Sequence, residues 1–264
     1  MLVDSHCHLD CLDLSPYEHN FERFVQDARS RGLEHMMCIS IDLEAYPAMR
    51  ELVRDFGNIS VTAGVHPNVR EGHDPSIEEI VQLAQDPKVA GIGETGLDYF
   101  RCEGDLEWQR TRFRNHIRAA RQIGKPLVVH SRDAKEDTLK VLHEEDAAQV
   151  GGVIHCFTED WDMAVRAIEL NFHISFSGIV TFKNAQSVRE VARKIPKDRY
   201  LIETDSPYLA PVPCRGKANY PIYVRHVAEQ IAELRGESFA KVAETSTYNY
   251  YRLFGGGGGI DAID

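Results

Sequence analysis

The segment Leu2-Val3-Asp4-Ser5-His6-Cys7-His8 is a short strand pattern that ends in two histidines. Because successive side chains of a strand point to opposite faces, His6 and His8 share one face and Cys7 points to the other. Two imidazoles on the same side of a strand end suit one metal ion, since histidine is the commonest metal ligand in proteins. Taken alone, the segment fits a metal site and a pair of structural histidines about equally well.

Short β-branched runs like this one recur along the chain, and each is followed by a longer amphipathic stretch. The predicted strands are residues 2–6, 35–40, 59–65, 89–94, 126–130, 152–155, 172–175 and 200–205. Several are apolar at successive positions, which is typical of strands buried on both faces of a parallel sheet. Eight strand–helix units of about 33 residues each predict an α/β fold, a (β/α)8 TIM barrel of the amidohydrolase-like kind, over residues 1–254. A flexible glycine-rich tail is expected over residues 255–264.

The composition excludes several classes of protein. The chain has 264 residues and a formal net charge of −11, which argues against sequence-independent coating of long nucleic acid. It says less about an enzyme whose site carries its own metal ions. No apolar run approaches the roughly 20 residues that span a bilayer, and the N-terminus lacks a signal-peptide pattern. The six cysteines form no CxxC pair, so we expect a cytoplasmic protein with reduced thiols and no membrane partner.

Four of the later predicted strands also end in residues with metal-ligand chemistry. These residues are Glu94, His130, His155 and Asp205. Because the C-terminal ends of barrel strands meet at one mouth, they are expected to join His6 and His8 around one cavity. Four imidazoles and two carboxylates are too many for one tetrahedral ion and suit two ions that share a carboxylate. The mixed nitrogen and oxygen donors favour Zn²⁺, Mn²⁺, iron, cobalt or nickel, and Mg²⁺ is a weaker alternative.

Six motifs, spread over nearly the whole chain, carry a family resemblance. They are residues 2–10 (LVDSHCHLD), 64–67 (GVHP), 93–99 (GETGLDY), 126–133 (PLVVHSRD), 155–157 (HCF) and 203–207 (ETDSP). Together they resemble the TatD-type metal-dependent hydrolases, a branch of the amidohydrolase-like barrels, and especially the YcfH-like members. The resemblance implies hydrolysis of phosphodiester bonds, with DNA the usual substrate, and a deoxyribonuclease of the 3′–5′ exonuclease type.

The resemblance also divides the expected ligands between two divalent ions, Zn²⁺, Mn²⁺ or Mg²⁺. It implies that one ion is held by His6, His8, Glu94 and Asp205, and that the second is held by Glu94, His130 and His155. Every one of these positions carries the matching side chain. The implied partners are nucleic-acid ends, short single strands or a small phosphodiester.

Catalytic roles are predicted for four residues, of which Glu94 is the shared ligand. A water bound by two cations loses a proton near neutral pH, and Asp205 is our candidate for the base that orients this water and moves its proton. Glu203 lies two residues earlier and shares its face; support of a ligand histidine and a buried ion pair both stay open. For His66, a contact with substrate or water and a simple loop hydrogen bond stay equally open.

Basic residues that follow the predicted strands are candidate substrate contacts. They are Arg132, Lys183, Arg215 and Lys217. They form either a local basic rim that binds phosphates or a set of solvated loop charges. Arg132 has the strongest case because it lies two residues after His130. Asp98, in the same motif as Glu94, is also included among the candidate substrate contacts.

Two other classes of function compete with a phosphodiesterase. An amidohydrolase or lactonase would use the same pair of ions on a small acyl substrate. The glutamate at the fourth strand argues against it, because several acyl-cleaving and phosphotriester-cleaving relatives resemble one another in having a lysine there. A barrel that binds metal only as a scaffold is the third class, and the intact ligand set makes it the weakest.

Overall fold

Eight parallel strands form one sheet in chain order. A computed structural model describes residues 1–255, so the predicted tail lies, from residue 256 onward, outside the described residues. The strands are β1 (Leu2–Cys7), β2 (Leu33–Cys38), β3 (Ile59–Ala63), β4 (Val89–Asp98), β5 (Leu127–Arg132), β6 (Gly152–Ile154), β7 (Phe172–Phe176) and β8 (Tyr200–Ile202). The predicted (β/α)8 barrel is confirmed.

The helices alternate with the strands and cover the outside of the sheet. They are α1 (Phe21–Ser30), α2 (Tyr46–Leu52), α3 (Ile77–Leu83), α4 (Glu107–Ile123), α5 (Lys135–Glu144), α6 (Trp161–Glu169), α7 (Gln186–Lys194), α8 (Val224–Arg235) and α9 (Phe239–Phe254). Phe24, Phe113 and Phe172 are among the fully buried residues of the core between helices and sheet. No helix within residues 1–255 has the length and apolar character needed to span a membrane.

A second, smaller core fills the inside of the barrel. It consists of Val3, Met37, Ile39, Val128, Val153 and Leu201 from the strands, together with Tyr250 and Phe254 from α9. Tyr250 shares a hydrogen bond of 2.8 Å with Ser60 near the start of β3, and Asn249 donates one to the carbonyl oxygen of Tyr200 at the start of β8. Helix α9 therefore seals the N-terminal end of the barrel, and the C-terminal end remains as the mouth.

The barrel closes between β1 and β8 beside the predicted ligands. The Asp205 N–H donates to the His6 carbonyl at 2.9 Å, and the His8 N–H donates to the Ser206 carbonyl at 2.8 Å. Asp4 strengthens this seam, because its buried carboxylate accepts hydrogen bonds from the Thr204 N–H at 2.9 Å and the Thr204 hydroxyl at 2.5 Å. The backbone that joins the first and last strands thus also carries His6, His8 and Asp205.

The strand ends differ from the predicted ones where the ligands lie. Strands β6 and β8 end at Ile154 and Ile202, so His155 and Asp205 lie just beyond them. Strand β4 does not end at Glu94 but continues to Asp98. Alternating side-chain character could not reveal these shifts, because the chain at the mouth is shaped by loop hydrogen bonds and by irregular pairing of β4.

Removal of the Phe254 ring should destabilise the protein. Phe254 is buried at the base of the barrel, and we expect Phe254→Ala to lower the free energy of unfolding by about 3–5 kcal/mol, as for other buried phenylalanines. Tyr248 lies on the same helix with its side chain half exposed, so Tyr248→Ala should change this free energy by less than about 1 kcal/mol. Urea unfolding of both variants measures the difference, and equal losses would contradict the role of α9 as a seal.

Candidate metal centre

Glu94 reaches the mouth because β4 is irregular around it. The pairing of β4 with β5 shifts register between Ile92 and Thr95. Gly93 and Gly96, with φ of 149° and 134°, lie so close to β5 that a Cβ would meet the Val128 and His130 carbonyl oxygens respectively. The Glu94 N–H instead donates to the Ser40 carbonyl at 3.1 Å. Only these glycines allow the bulge that turns the Glu94 side chain inward.

The two carboxylate oxygens of Glu94 face two separate sets of imidazoles. Oε2 lies 3.4 Å from His6 Nε2. Oε1 lies 2.7 Å from His155 Nε2 and 3.1 Å from His130 Nδ1, and these two nitrogens are 3.4 Å apart. The Glu94 side chain is only 2% exposed, so the imidazoles replace water around both oxygens. A carboxylate divided in this way suits the shared ligand of a two-ion centre.

A first ligand group forms around Asp205. His6 Nε2 and His8 Nε2 lie 3.5 and 3.4 Å from Asp205 Oδ1, and the three atoms are close enough together to hold one ion. Two ligand atoms bound about 2.1 Å from one ion at a tetrahedral angle lie about 3.4 Å apart. The spacings at Asp205 and at Glu94 Oε2 therefore match what a bound metal requires, whereas His155 Nε2 lies closer to Glu94 Oε1, at 2.7 Å.

His6 is the strongest sign that the centre takes metal. Its ring is fully buried and stacks on His155, with the ring centres 3.8 Å apart. Neither ring nitrogen of His6 has a hydrogen-bond partner among residues 1–255. A buried polar atom without a partner costs roughly 1–3 kcal/mol, and a metal ion at Nε2 would satisfy the nitrogen that faces Glu94 and Asp205.

Partners on the far side of three of the four ligand histidines fix which nitrogen faces the centre; His6 has no such partner in the described residues. His130 Nε2 lies 3.1 Å from Asp98 Oδ2, and His155 Nδ1 lies 3.3 Å from Glu203 Oε1. His8 Nδ1 faces the Ile39 carbonyl at 3.4 Å. A proton held on each of these nitrogens would leave the other nitrogen, which faces the carboxylates of the centre, to bind a metal through its lone pair.

Two residues with predicted roles are thereby located behind the ligands. Asp98, included above as a candidate substrate contact, is buried, and its carboxylate also accepts hydrogen bonds from the Asn68 side chain and from the backbone of Phe100 and Arg101. It contacts the His130 ring from behind, a position that favours support of a ligand histidine over the predicted contact with substrate. Glu203 contacts His155 and accepts the Cys156 N–H at 2.8 Å, which favours its role as support for a ligand histidine.

His66 lies beside Glu94 and His130, but the ring nitrogen that faces them carries a proton. It lies with Glu94 and His130 in a group close enough to hold an ion. However, His66 Nδ1 accepts the Asn68 N–H at 3.0 Å, so the single proton of the neutral ring is on Nε2, 3.3 Å from Glu94 Oε1. Burial lowers the pKa of His66 despite the opposing effect of Glu94, which keeps the ring neutral. A protonated Nε2 cannot bind a metal, and we assign His66 as a hydrogen-bond donor.

Helix α4 holds the loop that carries His66. His116 Nε2 accepts the Val65 N–H at 3.0 Å, and the His116 Nδ1–H donates to the Arg112 carbonyl at 2.8 Å. The Arg112 guanidinium donates to the carbonyl oxygens of His66 and Val69. Sequence reasoning missed Asn68, Arg112 and His116, because their roles depend on contacts between distant parts of the chain. Only Asn68, two residues after His66, lay next to a motif that could have drawn attention to it.

The carboxylates of the centre are held in the ionised form. Burial acts to raise the pKa of Glu94, but His155, His66 and His130 outweigh it and hold the pKa well below its usual value. Burial acts in the same way on Asp205, whose pKa is nevertheless lowered by His8 and His6. For His155, burial acts to lower the pKa, and Glu94 and Glu203 reverse the effect and raise it well above its usual value. The centre therefore holds two ionised carboxylates away from water, and such a site is stabilised by bound positive charge.

The remaining predicted residues lie at the edge of the mouth. Arg132 is the last residue of β5 and is exposed, as are Lys183, Arg215 and Lys217 in the segments that follow β7 and β8. None of the four reaches the ligand cluster, so they are available to parts of a substrate that extend beyond the metal centre.

Comparisons with known proteins identify the family of this chain and agree with its fold. The model of the family described as TatD related DNase matches residues 3–255. An Escherichia coli K12 protein named uncharacterized metal-dependent hydrolase YcfH is 45% identical over 254 residues, which cover 96% of this chain and 95% of that protein. The Escherichia fergusonii protein named 3′-5′ ssDNA/RNA exonuclease TatD is 31% identical over 250 residues, which cover 92% and 96%. The crystal structure of YJJV, a TatD homologue from Escherichia coli K12, matches with a TM-score of 0.87 at 28% identity and covers 96% and 98%.

Metal analysis should separate His130 from His66, although both contact the same oxygen of Glu94. We expect the wild-type protein, after loading with Zn²⁺ or Mn²⁺, to retain two ions per chain. His130→Ala should retain about one, because it removes a lone pair aimed at the centre, whereas His66→Ala should retain both. Elemental analysis of the dialysed proteins measures this, and loss of an ion from His66→Ala alone would contradict the assignment of its proton.

The buried ring of His116 should make folding sensitive to acid. Burial lowers the pKa of His116 from 6.5 to about 4. Between pH 6.5 and 4, this imidazole is therefore protonated in the unfolded chain and neutral in the folded chain. The contribution of the neutral ring to the free energy of unfolding is fully present above pH 6.5 and is lost as the pH falls towards 4. Between pH 7.5 and 4.5 this loss lowers the free energy of unfolding by about 2.5 kcal/mol.

The variant His116→Gln keeps an acceptor for the Val65 N–H but cannot titrate. Between pH 7.5 and 4.5, we expect the free energy of unfolding of this variant to fall by about 2–3 kcal/mol less than that of the wild type. Urea unfolding with chelator in every sample isolates this effect from metal release. Equal losses in the two proteins would show that His116 does not contribute.

Proposed function

Because the chain belongs to the TatD related DNase family, as its motifs predicted, we propose that it is a metal-dependent hydrolase of phosphodiester bonds. The observation that carries this proposal is the buried Glu94 carboxylate, with one oxygen towards His6 and the other towards His130 and His155. The E. coli relative is named a metal-dependent hydrolase, which supports the same class of reaction.

The proposed ion sites follow the two sides of Glu94. One ion is held by His6, His8, Glu94 and Asp205, and the other by Glu94, His130 and His155. When bound, a pair of divalent ions lowers the pKa of water and neutralises charge on phosphoryl oxygens. The hydrogen-bonded positions of Asp98 and Glu203 keep His130 and His155 in the protonation state that ligation needs.

Asp205 is the proposed general base. Its Oδ1 faces His6 and His8, while the side chain remains 14% exposed to the mouth. The lowered pKa of this carboxyl keeps it ionised at neutral pH, so it accepts the proton of the attacking water and orients that water towards phosphorus.

His66 is the proposed donor to the substrate. Its Nε2–H points towards Glu94 Oε1, on the same side of the centre as His130. A neutral imidazole held by the Asn68 N–H can donate this hydrogen bond to a non-bridging phosphoryl oxygen as negative charge develops there. Of the two roles left open for His66, we propose the contact with substrate, and the loop hydrogen bond from the Asn68 N–H orients the ring for it.

Nucleic acid is the proposed substrate, and removal of nucleotides from the 3′ end of a DNA strand is the proposed action. The relative named 3′-5′ ssDNA/RNA exonuclease supports this choice. The exposed basic residues at the mouth also support it, because an acyl substrate without phosphate gains nothing from them. An amidohydrolase or lactonase remains as an outcome of the experiment below.

Replacement of Asp205 by asparagine should abolish most turnover. Asp205→Asn keeps the size and one oxygen of the side chain but loses its basicity, and we expect kcat to fall by about 10²–10⁴-fold. Asp198→Asn is a matched control, because Asp198 is an exposed aspartate before β8, at the opposite end of the barrel. It should keep wild-type turnover.

Hydrolysis of bis(4-nitrophenyl) phosphate, single-stranded DNA and a lactone by the metal-loaded proteins tests the function. We expect activity on the two phosphodiesters, none on the lactone, and loss of both activities in Asp205→Asn. Activity confined to the lactone would overturn the proposal, as would normal turnover by Asp205→Asn.

A further inference from the structure

The loop that follows β8 contains two residues with a left-handed backbone. Asp205 and Leu209 have φ of 56° and 57°, in a region that residues other than glycine seldom adopt. Such a conformation persists only where the surrounding contacts hold it in place. Because Asp205 is the proposed base and a proposed ion ligand, the contacts that hold its backbone also determine where its carboxylate lies.

One buried side chain holds the carbonyl group that precedes each of these residues. Asn219 is fully buried, and its Nδ2 donates hydrogen bonds to the Thr204 carbonyl at 2.9 Å and to the Tyr208 carbonyl at 2.5 Å. These two carbonyls belong to the peptides directly before Asp205 and Leu209. The angle φ describes the rotation of a residue relative to its preceding peptide, so a hydrogen bond that fixes this peptide restrains φ.

The orientation of the Asn219 amide is itself fixed. Its Oδ1 accepts the Tyr220 N–H at 3.0 Å, and its backbone N–H donates to the Pro207 carbonyl at 3.3 Å. A flipped amide would place Oδ1 against two carbonyl oxygens, which have no hydrogen to donate. Nδ2 is therefore the atom that faces the loop, and both of its hydrogens are used.

The peptide between Thr204 and Asp205 is held from both sides. Its N–H donates to the His6 carbonyl at 2.9 Å, and its carbonyl accepts from Asn219. The N–H and C=O of a trans peptide point in opposite directions, so β1 restrains one edge of this peptide and Asn219 restrains the other. The Asp205 carbonyl in turn accepts the Tyr208 N–H at 2.9 Å. Asn219 is thus the contact that completes the restraint on Asp205.

We propose that Asn219 is a positioning residue that keeps Asp205 in its left-handed conformation, an inference that rests on the proposed function. Loss of the Asn219 donors leaves the Thr204 carbonyl without this partner and allows the peptide to rotate. The Asp205 carboxylate then leaves its place 3.5 Å from His6 Nε2 and 3.4 Å from His8 Nε2. The first ion site and the proposed base are therefore weakened together.

The chain offers a matched control at the opposite end of the barrel. Asn249 is also buried, and its Nδ2 donates to the Lys197 and Tyr200 carbonyls at 2.8 and 2.9 Å. Asn219→Ala and Asn249→Ala each remove one amide that joins two carbonyls. We expect both variants, measured with chelator present, to lose a similar amount of thermal stability, roughly 3–10 °C in Tm.

Ion binding separates the two variants without any need for turnover. Titration of the chelator-stripped proteins with Mn²⁺, followed by the EPR signal of the free ion, gives the affinities. We expect Asn219→Ala to weaken one of the two Mn²⁺ sites by about 10–100-fold and to leave the other unchanged. Asn249→Ala should bind both ions as the wild type does. Equal losses of Mn²⁺ affinity in the two variants would overturn the positioning role.

A double-mutant cycle shows whether Asn219 acts through Asp205. In an Asp205→Ala background, Asn219→Ala should cause no further loss of Mn²⁺ affinity, because the carboxylate that Asn219 positions is already absent. A further loss as large as in the wild-type background would overturn the proposal. If Asn219→Ala does not fold, Asn219→Asp replaces it in the cycle, since it keeps the shape of the side chain and loses the amide donor.

Turnover gives a second readout that loop stability alone would not move. For hydrolysis of bis(4-nitrophenyl) phosphate, we expect Asn219→Ala to lower kcat by about 10²-fold with little change in KM, as for a displaced catalytic group. Asn249→Ala should keep wild-type kcat at a temperature well below its Tm.

The outcomes distinguish this inference from the proposed function. Hydrolysis by the wild type, with Mn²⁺ affinities and kcat unchanged in Asn219→Ala, would overturn the positioning role and leave the function intact. Weakened Mn²⁺ binding in Asn219→Ala that disappears in the Asp205→Ala background, without any phosphodiester hydrolysis by the wild type, would support the positioning role and overturn the function.

Discussion

The carboxylate of Glu94 is the constraint on which the rest of the site depends. It is buried and ionised, and removal of such a charge from water costs several kcal/mol unless positive charge replaces the solvent. Around it the fold brings three predicted ligand histidines, His6, His130 and His155, to the two carboxylate oxygens. Glu94 and Glu203 raise the pKa of His155, so a proton on this ring compensates part of the charge. The two divalent ions that we propose would compensate the remaining charge.

The architecture leaves this charge one route to solvent. Helix α9 seals the N-terminal end of the barrel with Tyr250 and Phe254. At the other end, the seam between β1 and β8 is formed by the same backbone that carries His6, His8 and Asp205. The hydrogen bonds that close the barrel therefore also position the first ligand group, and a change in the seam also moves the ligands. The bulge at Glu94 has the same double role between β4 and β5.

The sequence predicted what depends on periodicity and on strand ends. Buried runs such as residues 127–129 identify a parallel barrel, and the strand-end rule brings His6 and Asp205 to one mouth although they are far apart in the chain. The position of Asp98 could not be predicted, because motif membership does not say whether a carboxylate faces the substrate or the back of a ligand ring. The proton position on His66 was equally hidden, since it depends on a backbone N–H of Asn68. The pairing of surface charges likewise requires the three-dimensional neighbours of each side chain.

The net charge of −11 is compatible with the proposed nucleic-acid substrate, because repulsion by the whole protein and contacts with single phosphates act over different distances. At physiological salt, charges separated by more than about 8 Å are largely screened. The overall negative charge therefore slows the approach of a long strand, but it adds little once a phosphate touches an arginine at the mouth. Arg132 and Arg215, which stack on the rings of Phe100 and Phe182, would act at that short range. The proposed substrates that fit this charge distribution best are the ends of strands and short oligonucleotides, because only a few of their phosphates would approach the acidic surface.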